Sequence, residues 1–299
     1  MKWQGRRKSS NIDDRRGQGG SGQGFGGFSP SLLGPLMKIL FSKVGLFIVG
    51  IFLVVSLIMG KNPLSLISQL LSGGSLQTET SAPYKPSAKE EELADFSATI
   101  LANTEDVWNQ LLDNYREPTL VLFTGSVSSA CGSASSATGP FYCPGDEKLY
   151  LDLSFFDDMA RQLNAPGDFA QAYVIAHEVG HHIQKIMGTT DKVHRLRGQV
   201  SQTEYNKYSV MLELQADFLA GVWAHHSQEM TRMMESGDLE EALNAANAIG
   251  DDRLQKQSSG RVVPDSFTHG TSAQRMRWFK KGFETGDLSQ GDTFSATSL

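Results

Sequence analysis

The pattern of apolar and polar positions divides the chain into a polar start, an apolar segment and a longer body. Residues 1–35 are rich in Gly, Gln, Ser and Arg and lack an apolar period, which predicts a disordered basic tail. Residues 39–60 carry no charge except Lys43 and are long enough to form a transmembrane helix. A signal peptide would begin closer to Met1, and a buried core helix would not be apolar all round.

Behind the apolar segment the composition changes twice more. Residues 61–90 contain a short apolar stretch followed by many Gly, Ser, Thr and Pro residues, which is typical of a juxtamembrane segment and linker. Residues 91–286 have the mixed pattern of a folded domain, and residues 287–299 are expected to form a flexible C-terminal tail.

Periodicity within the body predicts both helices and strands. Apolar residues at helical spacing predict a helix over Glu91–Leu112, and β-rich composition predicts a strand over Thr119–Thr124. Strict alternation over Lys148–Leu153 predicts a half-buried strand. A long helix should begin at Asp168, which has a capping-box arrangement, and end at Gly188. The fold class is therefore α+β, mainly helical with a small sheet and preceded by one transmembrane helix.

Charge is distributed unevenly along the sequence. The whole chain has a formal net charge of −6, yet its first segment is basic. The body is therefore acidic, which excludes nucleic acid as a partner because such binding needs clustered positive charge. Positive charge ahead of the apolar segment predicts a single crossing, with the N-terminus in the cytoplasm and the body in the periplasm or extracellular space. The basic residues are Lys2, Arg6, Arg7, Lys8, Arg15, Arg16, Lys38 and Lys43.

The predicted long helix contains an H-E-x-x-H sequence. His177 and His181 are four residues apart and share one helix face, so both imidazoles can bind one zinc ion. Glu178 lies beside them, where it can act as a general base. Incidental histidines on a surface helix are the alternative. The extended motif with a third histidine is absent, because Gln184 and Met187 occupy its later positions.

A second helical segment offers the missing ligand. Glu213 and Asp217 share a face there, and the small residues Ala216, Ala220 and Gly221 would allow another helix to approach closely. We expect Glu213 to bind zinc and Asp217 to accept the outward N–H of a ligating histidine.

The remaining histidines and the two cysteines are more ambiguous. His182 is rotated off the ligand face and is expected to be a packing or cleft residue, whereas His194, His225 and His226 are expected to be solvated. Cys131 and Cys143 are close enough in sequence for a disulfide, although two free thiols are also possible. An oxidising compartment would favour the disulfide.

Several segments together resemble the putative neutral zinc metallopeptidase family of bacteria. The resemblance covers nearly the whole chain, and it rests on the H-E-V-G-H-H and E-L-Q-A-D helices, A-C-G followed by G-P-F-Y-C-P, Y-L-D-L-S-F-F from Tyr150, and T-H-G-T-S-A-Q-R. It implies a zincin-like peptidase domain anchored in the bacterial inner membrane and acting on peptide or protein substrates.

The motif series is also similar, more distantly, to gluzincins of the CAAX-protease and heat-shock-protease kind. That similarity implies that His269 lies near the reacting carbonyl, with Arg275 as its structural partner. Those relatives usually carry Pro where this chain has Gly270.

In zincin-like folds a strand aligns the peptide by edge pairing, a role that Lys148–Leu153 would take. The rival functions are a catalytically silent zinc-binding chaperone or interaction module, and a structural protein without metal.

Overall fold

The computed structural model describes residues 1–18 and 84–299, and within them the fold is mainly helical with a small sheet. The helices are α1 (Ala88–Leu111), α2 (Ser154–Gln162), α3 (Asp168–Ile186), α4 (Thr189–Arg195), α5 (Gln202–Thr231), α6 (Asp238–Ala248), α7 (Asp251–Ser259) and α8 (Ser272–Thr285). The strands are β1 (Ile12–Asp14), β2 (Thr119–Phe123), β3 (Ser126–Ser129), β4 (Gly132–Ser135), β5 (Phe141–Cys143) and β6 (Lys148–Asp152).

Helix α1 confirms the helix predicted over Glu91–Leu112 but begins earlier. Ser87 caps it: the Ser87 hydroxyl accepts from the Glu90 backbone N–H at 3.2 Å, and the Glu90 carboxylate accepts from the Ser87 N–H at 2.8 Å. This capping box satisfies backbone donors at the first turn. The end of the predicted linker is therefore already part of the folded domain.

The main sheet has four strands in the order β1-β2-β6-β5. The first three run parallel, and β5 is antiparallel to β6. The alternation predicted for Lys148–Leu153 is wrong in one respect, because Tyr150 and Asp152 are buried as well as the leucines. Tyr150 stacks on Phe141 and packs in a second small core with Val127 of the β3–β4 hairpin, which covers the face expected to be solvated.

The position of β6 also excludes the edge-pairing role proposed for that segment. Strand β6 pairs with β2 on one side and with β5 on the other, so its backbone groups are already used. Strand β5 lies at the edge of the sheet instead.

Residues 1–18 are ordered, and the prediction of a disordered tail over 1–35 is wrong for this part. Strand β1 extends the sheet, with Ile12 opposite Leu120 and Asp14 opposite Leu122. The buried carboxylate of Glu105 accepts hydrogen bonds from Arg7 and Asn11, each at 2.9 Å. Composition missed this because the segment gains its order from partners far along the chain rather than from its own apolar residues.

These contacts also bear on the predicted topology. Residues 1–18 belong to the same compact unit as residues 85–299. The single crossing and the compartments expected from the sequence stay predictions. Two of the basic residues used to orient the chain have structural partners, since Arg7 pairs with Glu105 and Lys8 with Asp95.

The predicted transmembrane helix over 39–60 lies outside the described residues, as do residues 19–35 of the predicted tail and residues 61–83 of the linker. Within residues 1–18 and 84–299, no helix combines the length and apolarity that a membrane crossing requires.

Two predicted details at the ends of elements are wrong. Helix α3 begins at Asp168, but its N-cap is Gly167 and the predicted capping box is not formed. The Asp168 carboxylate accepts from the α-amino group of Met1 at 2.9 Å.

Residues 287–299, expected to form a flexible tail, are ordered. The buried Thr293 hydroxyl donates to the Met211 carbonyl at 2.6 Å, and Gln215 donates to the Gly291 carbonyl at 3.0 Å.

The helices that carry the candidate site approach one another unusually closely. A Cβ atom at Gly180 of α3 would lie 2.9 Å from the Ala216 carbonyl oxygen of α5. Likewise, a Cβ at Gly221 of α5 would lie 2.1 Å from the Phe279 carbonyl oxygen of α8. The close approach predicted around Ala216 and Gly221 is thereby confirmed, and it lets side chains from three helices meet.

Candidate metal centre

Helices α3 and α5 bring His177, His181 and Glu213 together. The opposite side of α3 carries apolar side chains that are buried in the core and fix the rotation of the helix, namely Ile175, Val179 and Ile183. The Nε2 atom of His177 lies 3.2 Å from Glu213 Oε2, and the Nε2 atom of His181 lies 3.5 Å from Glu213 Oε1. Ligand atoms about 2.1 Å from a tetrahedral zinc ion are about 3.4 Å apart, so the three side chains fit such an ion.

The outward nitrogen of His177 is held by Asp217. His177 Nδ1 donates to Asp217 Oδ1 at 2.9 Å, which leaves Nε2 as the nitrogen that faces Glu213. The Tyr173 hydroxyl donates to the same oxygen at 2.6 Å. Arg275 of α8 donates to both oxygens of Asp217, and both of these side chains are buried. Asp217 thus has the contact predicted for it.

The outward nitrogen of His181 is held by Gln184. His181 Nδ1 donates to Gln184 Oε1 at 2.9 Å. The amide nitrogen of Gln184 donates to the Leu212 carbonyl at 2.6 Å, which fixes the orientation of the amide. Gln184, which stands where the extended motif would need a different residue, therefore supports His181.

The electrostatics of the cluster favour bound positive charge. Although burial opposes the charged imidazole, the carboxylates of Asp217 and Glu213 raise the pKa of His177 to about 10. Burial likewise opposes the ionised form of Asp217, yet the charges of Arg275 and His177 lower its pKa to about 2. A divalent cation would replace protons at the imidazoles.

Glu178 lies beside the ligands in a cleft of about 720 Å³ that is also lined by His177, Glu213 and His269. Burial raises the pKa of Glu178, an effect partly offset by the two neighbouring imidazoles and by the nearby backbone N–H of Tyr142. Tyr142 belongs to the edge strand β5, so the edge of the sheet lies directly beside Glu178.

His182 is a buried packing residue, as expected, and it connects β5 to the rest of the fold. Its Nε2 donates to the Arg116 carbonyl oxygen at 2.5 Å, and its Nδ1 accepts from the Tyr142 hydroxyl at 3.0 Å. Burial lowers the pKa of His182 and favours this neutral form.

His269 lies at the cleft and is positioned by Asp251 rather than by Arg275. His269 Nδ1 donates to Asp251 Oδ1 at 3.1 Å, and the backbone N–H groups of Thr268 and His269 donate to Asp251 Oδ2 at 2.6 and 2.7 Å. The implied pairing of His269 with Arg275 is therefore wrong, because Arg275 binds Asp217. Gly270 has a φ of +90°, which proline cannot adopt, so this loop could not hold the Pro that the gluzincin resemblance implies.

Cys131 and Cys143 form a disulfide in the structure, with a Cα–Cα distance of 5.8 Å. Cys143 is the last residue of β5, and Cys131 lies in the turn between β3 and β4. The bond therefore ties the edge strand to the neighbouring hairpin.

Sequence reasoning missed several residues of the site. Gln184 could have been found, because it lies one helical turn from His181. Tyr173 could have been found in the same way, because it lies one helical turn before His177. Asp251 and Tyr142 could not, because their relation to the ligands depends on tertiary packing over long sequence separations.

Comparison with known proteins shows which family the chain belongs to. Residues 1–294 match the family model described as "Putative neutral zinc metallopeptidase". The chain is 49% identical over 298 residues to "Uncharacterized protein YpfJ" of Escherichia coli (strain K12), covering 98% of this chain and 99% of that protein. It is 43% identical over 207 residues to "Uncharacterized protein Rv2575" of Mycobacterium tuberculosis, covering 66% of this chain and 69% of that protein. No solved structure matches the chain.

Proposed function

The chain belongs to the putative neutral zinc metallopeptidase family, and on that premise we propose that it is a zinc-dependent peptidase with a zincin-like catalytic domain. In this proposal His177, His181 and Glu213 hold the metal. Glu178 is the general base, and the substrate is a peptide or protein. The observation that carries the proposal is the convergence of three ligand atoms at zinc-compatible distances, next to Glu178 in an open cleft.

Bound zinc would supply Lewis acidity, lowering the pKa of a water molecule in the site and polarising the scissile carbonyl. Glu178 would take a proton from that water and later deliver it to the leaving amine. Asp217 and Gln184 keep the Nδ1 atoms of the two histidines occupied, so that both Nε2 atoms face inward.

His269 would donate a hydrogen bond to the developing oxyanion. Because Asp251 is an acceptor only, Nδ1 of His269 carries a proton, and Nε2 carries one only in the imidazolium form. The hydrogen bond to Asp251 raises the pKa of His269, although burial opposes it, and thereby favours that form.

An extended peptide would align along β5. This strand lies at the edge of the sheet, and the backbone N–H of its Tyr142 lies near Glu178, which supports pairing of the substrate backbone beside the base. Attachment to the membrane through residues 39–60 stays a prediction of the sequence, and so does the extracytoplasmic location of the body.

The decisive experiment compares the purified full chain with its Glu178→Gln variant. We expect the variant to retain zinc but to cleave casein at least about 10²-fold more slowly, the usual effect of removing a general base. Glu284→Gln, at an exposed position of α8, is the matched control and should cleave normally.

Casein cleavage by Glu178→Gln at the wild-type rate would refute the assignment of the base. If the wild-type chain binds zinc but hydrolyses no unfolded protein, the alternative of a silent zinc-binding chaperone or interaction module is favoured instead.

A further inference from the structure

A second group of potential ligands lies at the C-terminal end of α5, about 18 Å along the helix from Glu213. It consists of His225, His226 and Glu229, whose nitrogen and oxygen atoms lie within 4.8 Å of one another. His225 Nε2 is 3.5 Å from Glu229 Oε1, and His226 Nδ1 is 3.5 Å from Glu229 Oε2. The two histidines were expected to be solvated, yet their side chains are only 26% and 20% exposed.

Hydrogen bonds to backbone carbonyls fix which nitrogen of each ring faces Glu229. His225 Nδ1 donates to the Phe283 carbonyl oxygen at 2.7 Å, and His226 Nε2 donates to the Gly286 carbonyl oxygen at 2.9 Å. Because a carbonyl oxygen only accepts, these nitrogens carry the protons. In the neutral rings the other nitrogen of each ring therefore carries a lone pair and no proton. Both of these nitrogens are directed at the Glu229 carboxylate, whose oxygens also carry only lone pairs.

The packing of α5 against the end of α8 holds the rings in this arrangement. Gly286 lies so close to His225 that a Cβ atom there would be 2.4 Å from its ring, and the backbone at Gly286 has a φ of +59°. The two imidazole rings are 4.9 Å apart. Glu229 is 63% exposed, which leaves one side of the group open to water and to an entering ion.

We propose that His225, His226 and Glu229 form a second binding site for a divalent transition-metal ion of the zinc type. The 3.5 Å separations match the roughly 3.4 Å expected between ligand atoms of a tetrahedral zinc ion. Imidazole and carboxylate ligands suit this class of metal, and the carbonyl partners of the outward nitrogens give the rings the support that ligating histidines usually have. Water would complete the coordination.

Counting zinc in the full chain tests this site independently of the catalytic one. After removal of metal by a chelator and dialysis against zinc, the wild type should hold two ions per chain. The His226→Gln/Glu229→Gln variant should hold one ion and keep its peptidase activity, and the His181→Asn variant should also hold one. Glu284→Gln, a nearby exposed carboxylate on α8, should still hold two.

A wild type with one zinc, and a His181→Asn variant with none, would overturn the proposal and leave a histidine–carboxylate contact only. Failure of the catalytic assignment would look different, because His181→Asn would then bind as much zinc as the wild type.

Modification of the wild type by diethyl pyrocarbonate gives a test that needs no variant. Zinc should protect His225 and His226, as read by peptide mass spectrometry, and equal modification with and without zinc would also overturn the proposal.

Discussion

Arg275 donates two hydrogen bonds to Asp217, from Nε to Oδ2 at 2.8 Å and from Nη2 to Oδ1 at 2.9 Å. Both side chains are almost completely buried. This pair connects α8 to the outward nitrogen of His177, so a residue near the C-terminus supports a ligand on α3.

Replacing Arg275 by Met should destabilise the fold strongly. Asp217 would remain as a buried charge without its main partner, a change that usually costs about 3–5 kcal/mol in the free energy of unfolding. Urea unfolding measures this cost. Arg277→Met, at an exposed position of the same helix, should change the unfolding free energy by less than about 0.5 kcal/mol. Equal stability of the two variants would contradict the structural role of the Arg275–Asp217 pair.

Asp251→Asn should shift the pH profile of peptidase activity. The pKa of His269 lies above its ordinary value of 6.5, so its imidazolium persists below that value and is lost as the pH rises through the raised pKa. Removing the Asp251 charge lowers this pKa, and the alkaline limb of kcat/KM should move to lower pH. Asp252→Asn is the matched control and should leave the limb in place. A uniform loss of activity at every pH in Asp251→Asn would indicate a merely structural role.

His182→Phe should weaken substrate binding more than metal binding. The variant cannot accept from Tyr142 or donate to Arg116, so β5 loses its connection to α3 beside Glu178. We expect KM for an extended peptide to rise several-fold while bound zinc is unchanged. His182→Gln, which can still donate and accept, should recover part of the loss. An unchanged KM together with reduced stability would mean that His182 serves packing alone.

Reduction of the disulfide should lower the stability of the domain. Cys131 and Cys143 are separated by 12 positions. The chain-entropy model assigns a loop of that size about 3 kcal/mol of unfolding free energy. Comparing oxidised and reduced wild-type protein by urea unfolding isolates the bond without any substitution. Identical curves for the two forms would contradict the prediction.

Cysteine labelling should place residues 1–18 and the body in the same compartment. Both native cysteines are paired, so Ser10→Cys and Ser236→Cys each introduce one exposed thiol. A membrane-impermeant maleimide applied to intact cells should label both variants or neither, because residues 1–18 pack on the body. Labelling of only one of them would favour the single-crossing topology predicted from sequence and contradict the packing.

The sequence predicted the elements whose signal is local. Helical spacing related His177, Glu178 and His181 to one another, and the same rule placed Glu213 and Asp217 on one face. It could not relate Asp251 to His269, because that contact depends on how α7 packs against the loop before α8. Nor could composition identify β1, since Glu105 and Leu120, which order this segment, lie far along the chain.

The pairing of β1 with β2 has a consequence for the order of events during synthesis. Ile12 leaves the ribosome first, yet its partner Leu120 follows about a hundred residues later, roughly 5–20 s at usual elongation rates. Until then these opening residues have no template on which to form a strand. Closing so long a loop is a slow, non-local step. The part of the chain that is made earliest is therefore among the last to reach its native neighbours.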